Sequence, residues 1–445
     1  MKWNSICKKI TPQNSKKAIR YLKKNGLPST YYAIKERLLR KETPYVFVDV
    51  SQQEYSRQCN TIFEYEPLIS ILVPAYETKP EHLRQMIQSV IVQSYGKWEL
   101  ILADASSSKK VEEVVREYED PRIRYYPVIE NRGIAENTNV ALSYATGDYC
   151  SLLDHDDVIT KDALYEVVED INGYLECSIL LEMIYSDEDK CDEDMEQFYE
   201  PHIKPDFNYD LFLSNNYICH FATIRTETLR KLEFRGEYNG AQDYDVFLRV
   251  VSSVTQNEIA HIPKILYHWR CHSDSTAVNP DSKIYAYEAG KCAIEDFLTQ
   301  QKICARVEHT RHLGFYRIEY REDLFEQRKD LVAVGGFTYK KNKIVSGAYD
   351  TNHKVMYEGL PKYYSGYMNR AMLQQNVFAL DIRTMRLCEE YEPIYEEILE
   401  EYEVKKEELH FESEDRIKEI SIAFGLEILK KTYGKEFLLD PLWKG

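Results

Sequence analysis

Apolar strand candidates alternate with amphipathic helix candidates between about residues 66 and 153, and this alternation constrains the fold most. The strand candidates cover residues 68–73, 98–103, 123–126 and 147–153. Between them, apolar residues recur at helical spacing over residues 83–91, about 109–118 and 133–145. Because parallel strands need long crossovers, this order predicts an α/β domain, with a mainly parallel, Rossmann-like sheet flanked by helices.

Polar residues follow three of these strands at the point where each ends. Tyr76 and Glu77 follow the first, Asp104 follows the second, and the acidic run 154–157 follows the fourth. Parallel sheets bind ligands at this edge. Carboxylates crowded in a cleft repel one another, and a divalent cation that prefers oxygen ligands, Mg²⁺ or Mn²⁺, removes that cost. An Asp-x-Asp motif alone is weak, and solvated surface charge is the alternative.

The acidic run belongs to a longer ordered set of short segments. They are Ile69–Tyr76, Glu130–Ala135, Thr146–Tyr149, Leu153–Asp157, Tyr185–Lys190, Lys204–Phe207, Gln242–Asp245 and Tyr267–His272. In this order they resemble the family 2 glycosyltransferases, inverting nucleotide-sugar-dependent enzymes of the GT-A type. The resemblance covers residues 66–276 and is strongest to the branch found in bacterial surface-polysaccharide loci, including rhamnan synthesis.

The resemblance implies a role for each matching position on the donor side. The nucleotide pocket is implied for Pro74, Ala75, Tyr76 and Asp104, and the loop beneath nucleotide and sugar for Asn131, Arg132 and Gly133. Asp154 is implied to contact the ribose or sugar, Asp156 to bind Mn²⁺ or Mg²⁺, and Arg270 and His272 to bind the diphosphate or the metal. The turn 103–108 departs from the glycine-rich turn of many relatives.

Asp243 stands where the family has its general base. An acceptor hydroxyl is a poor nucleophile, so a carboxylate must take its proton as the new bond forms. Two alternatives remain open: Asp243 caps the helix that follows it, or Asp245 is the base. For His220 the sequence indicates only packing, and the run 187–189 is either a wall of the acceptor site or a solvated charge run.

The ends of the chain differ in charge. Residues 1–44 contain 12 Lys and Arg and 2 Glu, a net charge of +10 in a chain of −17. They predict two short helices separated at Gly26 and Pro28. These helices either pack on the next domain or contact an anionic membrane surface. The acidic remainder argues against a nucleic-acid partner.

The sequence also predicts where in the cell the protein is located and how the chain divides into three segments. No apolar run reaches 18 residues, the start has no signal-peptide pattern, and the ten cysteines include no Cys-x-x-Cys pair. We therefore expect a cytoplasmic protein, at the inner face of the plasma membrane if residues 1–44 bind it. The segments are a basic helical segment 1–65, a GT-A catalytic domain 66–300 and a non-catalytic accessory domain 301–445.

The accessory domain is predicted to be a degenerate glycosyltransferase-like α/β lobe. Its strand candidates are 331–337 and 378–383, and an amphipathic helix is expected within 389–410. Acceptor binding and homodimerisation are the functional hypotheses for it, and structural support is the alternative.

The leading functional prediction is metal-dependent, inverting transfer of a hexosyl unit from a UDP- or dTDP-sugar to a lipid-linked or polysaccharide acceptor, in bacterial cell-surface glycan synthesis. A nucleotidyltransferase is one alternative, but residues 77–80 make a poor phosphate-binding loop. An inactive scaffold of a polysaccharide-assembly complex is the other, and the intact Asp154, Asp156 and Asp243 argue against it.

Overall fold

The computed structural model describes residues 12–39, 44–271 and 284–443, which fall into two compact units. The larger unit comprises Pro44–Phe207 and Asn216–Phe297, and the smaller comprises Asn208–Asn215 with the described residues of Met1–Thr43 and Leu298–Gly445. Two stretches differ from the predicted segments. Residues 44–65, predicted in the basic segment, belong to the larger unit, and residues 208–215, predicted in the catalytic domain, belong to the smaller unit. Among the described residues, no helix is both long enough and apolar enough to cross a bilayer.

The described residues contain thirteen α-helices, numbered in chain order. They are α1 Pro12–Leu39, α2 Gln52–Cys59, α3 Pro80–Ile91, α4 Lys110–Val115, α5 Ile134–Tyr144, α6 Ala163–Glu176, α7 Tyr209–Ser214, α8 Thr226–Leu232, α9 Gln242–Ser253, α10 Ile284–Gln300, α11 Leu324–Gln327, α12 Glu392–Glu401 and α13 Glu414–Lys431. Helix α1 is interrupted at Gly26, whose φ of 75° is not helical. The predicted break in the basic segment is therefore present.

Nineteen strands lie in the same described residues. They are β1 Ile69–Ala75, β2 Trp98–Asp104, β3 Ile123–Pro127, β4 Tyr149–Leu152, β5 Val158–Ile159, β6 Met183–Cys191, β7 Phe198–His202, β8 Thr223–Arg225, β9 Ile259–Arg270, β10 Ala305–His309, β11 Tyr316–Tyr320, β12 Leu331–Gly335, β13 Thr338–Lys340, β14 Lys343–Ser346, β15 Ala348–Tyr349, β16 Gln375–Val377, β17 Ala379–Leu380, β18 Arg386–Leu387 and β19 Glu436–Leu439. The first four lie where the alternating pattern predicts them.

The larger unit is built on a nine-stranded sheet in the order β3-β2-β1-β4-β8-β6-β9-β5, with β7 paired to β6. Strands β3, β2, β1 and β4 are parallel, as predicted, and β6 and β9 form a further parallel pair. The pairs of β8 with β4 and β6, of β5 with β9 and of β7 with β6 are antiparallel. The predicted α/β class is confirmed. β1 and β2 read as almost continuous apolar runs because neighbouring strands and helices cover both of their faces.

The smaller unit contains a four-stranded sheet in the order β16-β19-β12-β18, in which only β12 and β19 are parallel. Helices α12 and α13 supply Tyr395, Ile398, Ile420 and Phe424 to its core. Its descent from a glycosyltransferase lobe stays a prediction.

Helix α1 packs within the smaller unit. The Glu36 carboxylate accepts hydrogen bonds from the backbone N–H groups of Ser365 and Gly366, each at 2.8 Å, and Tyr32 stacks on Tyr363 at 4.5 Å between ring centroids. Residues 12–39 thus pack on the rest of the protein within the smaller unit, whereas the packing interpretation predicted the next domain along the chain. Contact with a membrane stays a prediction.

Candidate functional site

The first two strands end in register at one edge of the large sheet. Pro74 pairs with Ala103, and Ala75 with Asp104, so the positions implied for the nucleotide pocket are neighbours. Tyr76 follows with 53% of its surface exposed, which leaves its ring available to a base. Asp104 is buried, and its carboxylate accepts from the Tyr125 hydroxyl at 2.9 Å and the Ser106 N–H at 3.0 Å.

Glu77 organises the turn that departs from the family pattern. Its carboxylate accepts from the backbone N–H groups of Ser107 and Ser108, at 3.0 and 3.1 Å, and from both serine hydroxyls. These hydrogen bonds, and above all the one from the Ser108 hydroxyl, lower the pKa of Glu77 to about 2. The serine turn is therefore held by a carboxylate clamp, which the sequence analysis missed.

The loop 131–133 begins helix α5 and is tied to the segment before α9. Asn131 Oδ1 accepts from the Gly133 N–H and from Asn137 Nδ2, both at 3.0 Å. A Cβ on Gly133, whose φ is 97°, would lie 2.5 Å from Asn239 Nδ2, so only glycine fits there. Asn239 Oδ1 also accepts from the Ala135 N–H at 3.0 Å, which fixes the approach to α9. The exposed Arg132 pairs with Glu130 at 2.8 Å.

The acidic run after β4 places its carboxylates in different environments. The side chain of Asp154 is 47% exposed and that of Asp156 is 23% exposed, whereas Asp157 is buried. Asp157 accepts from the Tyr267 hydroxyl at 2.5 Å and from the Arg270 N–H at 2.7 Å. Burial is the main cause that raises the pKa of Asp157 well above its ordinary value, and the charges of Asp156 and Asp154 add to it.

His220 lies beside this run, although the sequence indicated only packing for it. Its ring stacks on Tyr267 with centroids 4.3 Å apart and planes within 7°. Nδ1 lies 3.0 Å from Glu188 Oε2, and Nε2 lies 3.9 Å from Asp154 Oδ2. Burial lowers the pKa of His220, but its contacts with the Cys219 thiol, 3.7 Å from Nε2, and with the Glu188 carboxylate outweigh burial and leave the pKa well above its ordinary value.

The charge run 187–189 on β6 is buried, so its interpretation as solvated charge is wrong. Asp187 Oδ1 lies 3.0 Å from His261 Nε2, and Asp189 Oδ1 lies 2.5 Å from His268 Nδ1. Glu188 accepts from Lys204 Nζ at 3.2 Å. The signal in the sequence that could have located this network is the charged run 187–190, which begins one serine after the mostly apolar residues 179–185.

Asp243 is the second residue of α9. Its Oδ2 accepts from Asn216 Nδ2 at 2.8 Å, and Cys219 Sγ lies 3.9 Å away. Burial raises the pKa of Asp243 and the charge of Asp154 adds to this, whereas His220 and Asn216 lower it. Asp154 and His220 therefore lie within electrostatic reach of Asp243.

The structure argues against both alternatives to Asp243 as the base, which were a helix-capping role for Asp243 and Asp245 as the base. The residue before the first turn of α9 is Ala241, so the prediction that Asp243 caps the helix is wrong. Asp245 is buried, accepts from Arg249 Nη2 at 2.6 Å and forms an ion pair with Arg235. Both of its oxygens are thus bound to guanidinium groups and are poorly placed to take a proton from a hydroxyl.

Asp154, Asp157 and His220 can hold a metal ion. Each offers one ligand atom, and these atoms lie within 4.8 Å of one another. Bonds of about 2.1 Å place opposite ligands of an octahedral ion about 4 Å apart, so a small movement closes the group on Mg²⁺ or Mn²⁺. Asp156 lies outside this group of three, and His272 lies outside the described residues, so their implied metal roles stay predictions.

Arg270 holds the acidic run in place. Its backbone N–H and its Nε bind Asp157 Oδ1 and the Asp156 carbonyl, at 2.7 and 2.6 Å, and its Nη1 donates to the Glu193 carbonyl. Nη2 is buried without a hydrogen-bond partner in the described structure. The resemblance implies that the Arg270 guanidinium binds the diphosphate. In the described structure its Nε and Nη1 donate to backbone carbonyls, and Nη2 remains as a donor.

Comparisons with known proteins find one family and several relatives. The family described as Glycosyl transferase family 2 matches residues 70–233. The uncharacterized protein y4gI of Sinorhizobium fredii is 42% identical over 238 residues, 53% of this chain and 26% of that protein. The O-antigen biosynthesis protein RfbC of Myxococcus xanthus is 32% identical over 258 residues, 57% of this chain and 20% of that protein. This chain therefore spans about a quarter or less of these two relatives.

A shorter relative is covered more fully. An uncharacterized glycosyltransferase of Haemophilus influenzae is 30% identical over 194 residues, which are 43% of this chain and 74% of that protein. A crystal structure of S. aureus TarS aligns over 52% of this chain and 39% of that chain, with 17% identity and a TM-score of 0.41.

Proposed function

Because the chain belongs to glycosyl transferase family 2, we propose that it transfers a hexosyl unit from a UDP- or dTDP-sugar to a lipid-linked or polysaccharide acceptor in bacterial cell-surface glycan synthesis. The similarity to the O-antigen biosynthesis protein RfbC supports this setting. The observation that carries the proposal is the partly buried Asp243, which accepts from the Asn216 amide at 2.8 Å and lies within electrostatic reach of Asp154 at the sheet edge.

In the proposed reaction, Pro74, Ala75, Tyr76 and Asp104 hold the nucleotide, and the loop 131–133 lies beneath it. Asp243 takes the proton of the acceptor hydroxyl as the oxygen attacks the anomeric carbon. A single base and direct displacement invert the configuration at that carbon. A bound Mn²⁺ or Mg²⁺ would offset the charge that develops on the leaving diphosphate. Asp154, Asp157 and His220 fit such an ion, and Arg270 Nη2 is a buried donor without a hydrogen-bond partner in the described structure.

The remaining parts of the proposal concern the setting of the reaction. We place it in the cytoplasm, at the inner face of the plasma membrane, with residues 1–44 as a contact to anionic lipid. We assign residues 301–445 to acceptor binding or homodimerisation and not to catalysis.

The test is donor turnover. Purified protein is given Mn²⁺ or Mg²⁺, a panel of nucleotide sugars and candidate acceptors, and release of nucleoside diphosphate is measured. We expect metal-dependent release that increases with acceptor, and a product of inverted anomeric configuration by NMR. Pyrophosphate release from a nucleoside triphosphate would indicate a nucleotidyltransferase, and absence of turnover with every donor and acceptor would indicate a scaffold.

A further inference from the structure

We propose that His220 is a ligand of the divalent cation together with Asp154 and Asp157, and that Glu188 is the positioning residue that fixes its ring. This inference rests on the proposed function, because the cation is the one that would hold the donor diphosphate. It differs from the assignment implied by the family resemblance, which uses Asp156 and His272.

The ring of His220 is held on two sides. Tyr267 lies flat against one face of the ring, and Glu188 occupies Nδ1 at 3.0 Å. The other nitrogen, Nε2, lies 3.9 Å from Asp154 Oδ2 and 3.7 Å from the Cys219 thiol, which a bound cation would have to displace. An imidazole whose outer nitrogen binds a carboxylate while its other nitrogen faces further carboxylates has the arrangement of a metal-bound histidine.

Glu188 is itself fixed by buried groups. Lys204 Nζ donates to Glu188 Oε2 at 3.2 Å, and His202 Nδ1 lies 3.3 Å from Oε1. Lys204 also donates to the backbone carbonyls of Ile218, at 2.7 Å, and of His220. One buried lysine thus positions both the carboxylate behind the ring and the backbone that carries the ring.

The charges around the ring favour a cation. Asp154 and Asp157 each offer an oxygen within 4.8 Å of the His220 ligand atom and of one another, and Glu188 lies behind the ring. Lys204 is directed at Glu188 and the backbone rather than at these two aspartates. A divalent ion bound by Asp154, Asp157 and His220 would offset the negative charge of the two aspartates.

The inference is tested by Mn²⁺ binding to the full chain without donor, measured by EPR titration and by electron spin-echo modulation from imidazole nitrogen. We expect His220→Gln to abolish the nitrogen modulation, and both His220→Gln and Glu188→Gln to weaken Mn²⁺ binding about 10–100-fold. His261→Gln is the matched control. Its buried ring lies 3.0 Å from Asp187 on the same strand as Glu188, and the variant should bind Mn²⁺ as the parent does.

The outcomes separate this inference from the proposed function. Nitrogen modulation that persists in His220→Gln, or that disappears only in His272→Gln, overturns the inference. Absence of Mn²⁺ binding to the parent overturns it too. If the parent transfers sugar in either case, the proposed function stands. If Glu188→Gln fails to fold, the loss or persistence of the nitrogen modulation in His220→Gln decides whether the inference holds. Binding through His220 without transfer to any acceptor would overturn the function alone.

Discussion

Two aspartates, the buried Asp210 of the smaller unit and the partly buried Asp243 of the larger, are compensated very differently. Asp210 of α7 in the smaller unit receives both terminal nitrogens of Arg328, at 2.7 and 3.0 Å, and Asn376 Nδ2 at 2.8 Å. Asp243 in the larger unit is partly buried and accepts from the Asn216 side-chain amide at 2.8 Å and from the Tyr244 backbone N–H, with the Cys219 thiol at 3.9 Å. A carboxylate bound by a guanidinium is stabilised as the anion and is a poor base. A partly buried carboxylate without a guanidinium partner can accept a proton, which is what the proposed reaction requires of Asp243.

The same contrast recurs within one turn of α9. Asp243 and Asp245 are two residues apart, yet Asp245 is bound by Arg235 and Arg249. Substitution of each aspartate should therefore separate effects on activity from effects on stability.

The largest expected effect is that of Asp243→Asn. Loss of the base should lower kcat about 10²–10⁴-fold. Donor affinity, measured by calorimetry, should stay close to that of the parent. Stability should change little, because the asparagine keeps the shape of the side chain and removes a partly buried charge. Near-normal turnover in this variant would show that another group takes the proton.

The next effect is on stability alone. Arg328→Met leaves Asp210 buried without its cation, which should lower the free energy of unfolding by about 3–5 kcal/mol in denaturant titrations. The double variant Asp210→Asn/Arg328→Met is the control and should recover much of this loss. A loss under about 1 kcal/mol would place the pair among weak surface ion pairs.

Asp245→Asn should have an intermediate effect. It weakens charge-assisted hydrogen bonds from two arginines, so the free energy of unfolding should fall by about 1.5–3 kcal/mol. The kcat measured below the unfolding temperature should remain near that of the parent. A fall in kcat comparable to that of Asp243→Asn would instead favour Asp245 as the base.

The smallest effect concerns pH. Because burial raises the pKa of Asp243, the base loses its charge at a higher pH than an ordinary aspartate, and kcat/KM should fall on acidification above the usual value of 3.8. Asn216→Leu removes a hydrogen bond that favours the anion, so the acid limb should move to higher pH by about one unit or less. If the acid limb of the pH profile is unchanged in Asn216→Leu, the group that titrates there is not Asp243.

The sequence predicted local elements well and side-chain environments poorly. Strands β1 to β4 and helices α3 to α5 lie where apolar periodicity indicates them, because periodicity records which face of each element is buried. Of the predicted strand 378–383, only Ala379 and Leu380, which form β17, are in a strand, and the helix expected within 389–410 is confined to α12. These short, irregular elements depend on neighbours across the smaller unit rather than on local pattern.

By itself, the sequence determined the parallel strand ends, the acidic run at their edge and the resemblance that singled out Asp243. Only the tertiary structure decided which charges are compensated. It brings His220 against Asp154, 66 residues earlier in the chain, and Arg235 and Arg249 against Asp245 rather than Asp243. Local pattern specifies burial along one element, whereas the pKa of a carboxylate depends on groups that other elements bring within a few ångströms.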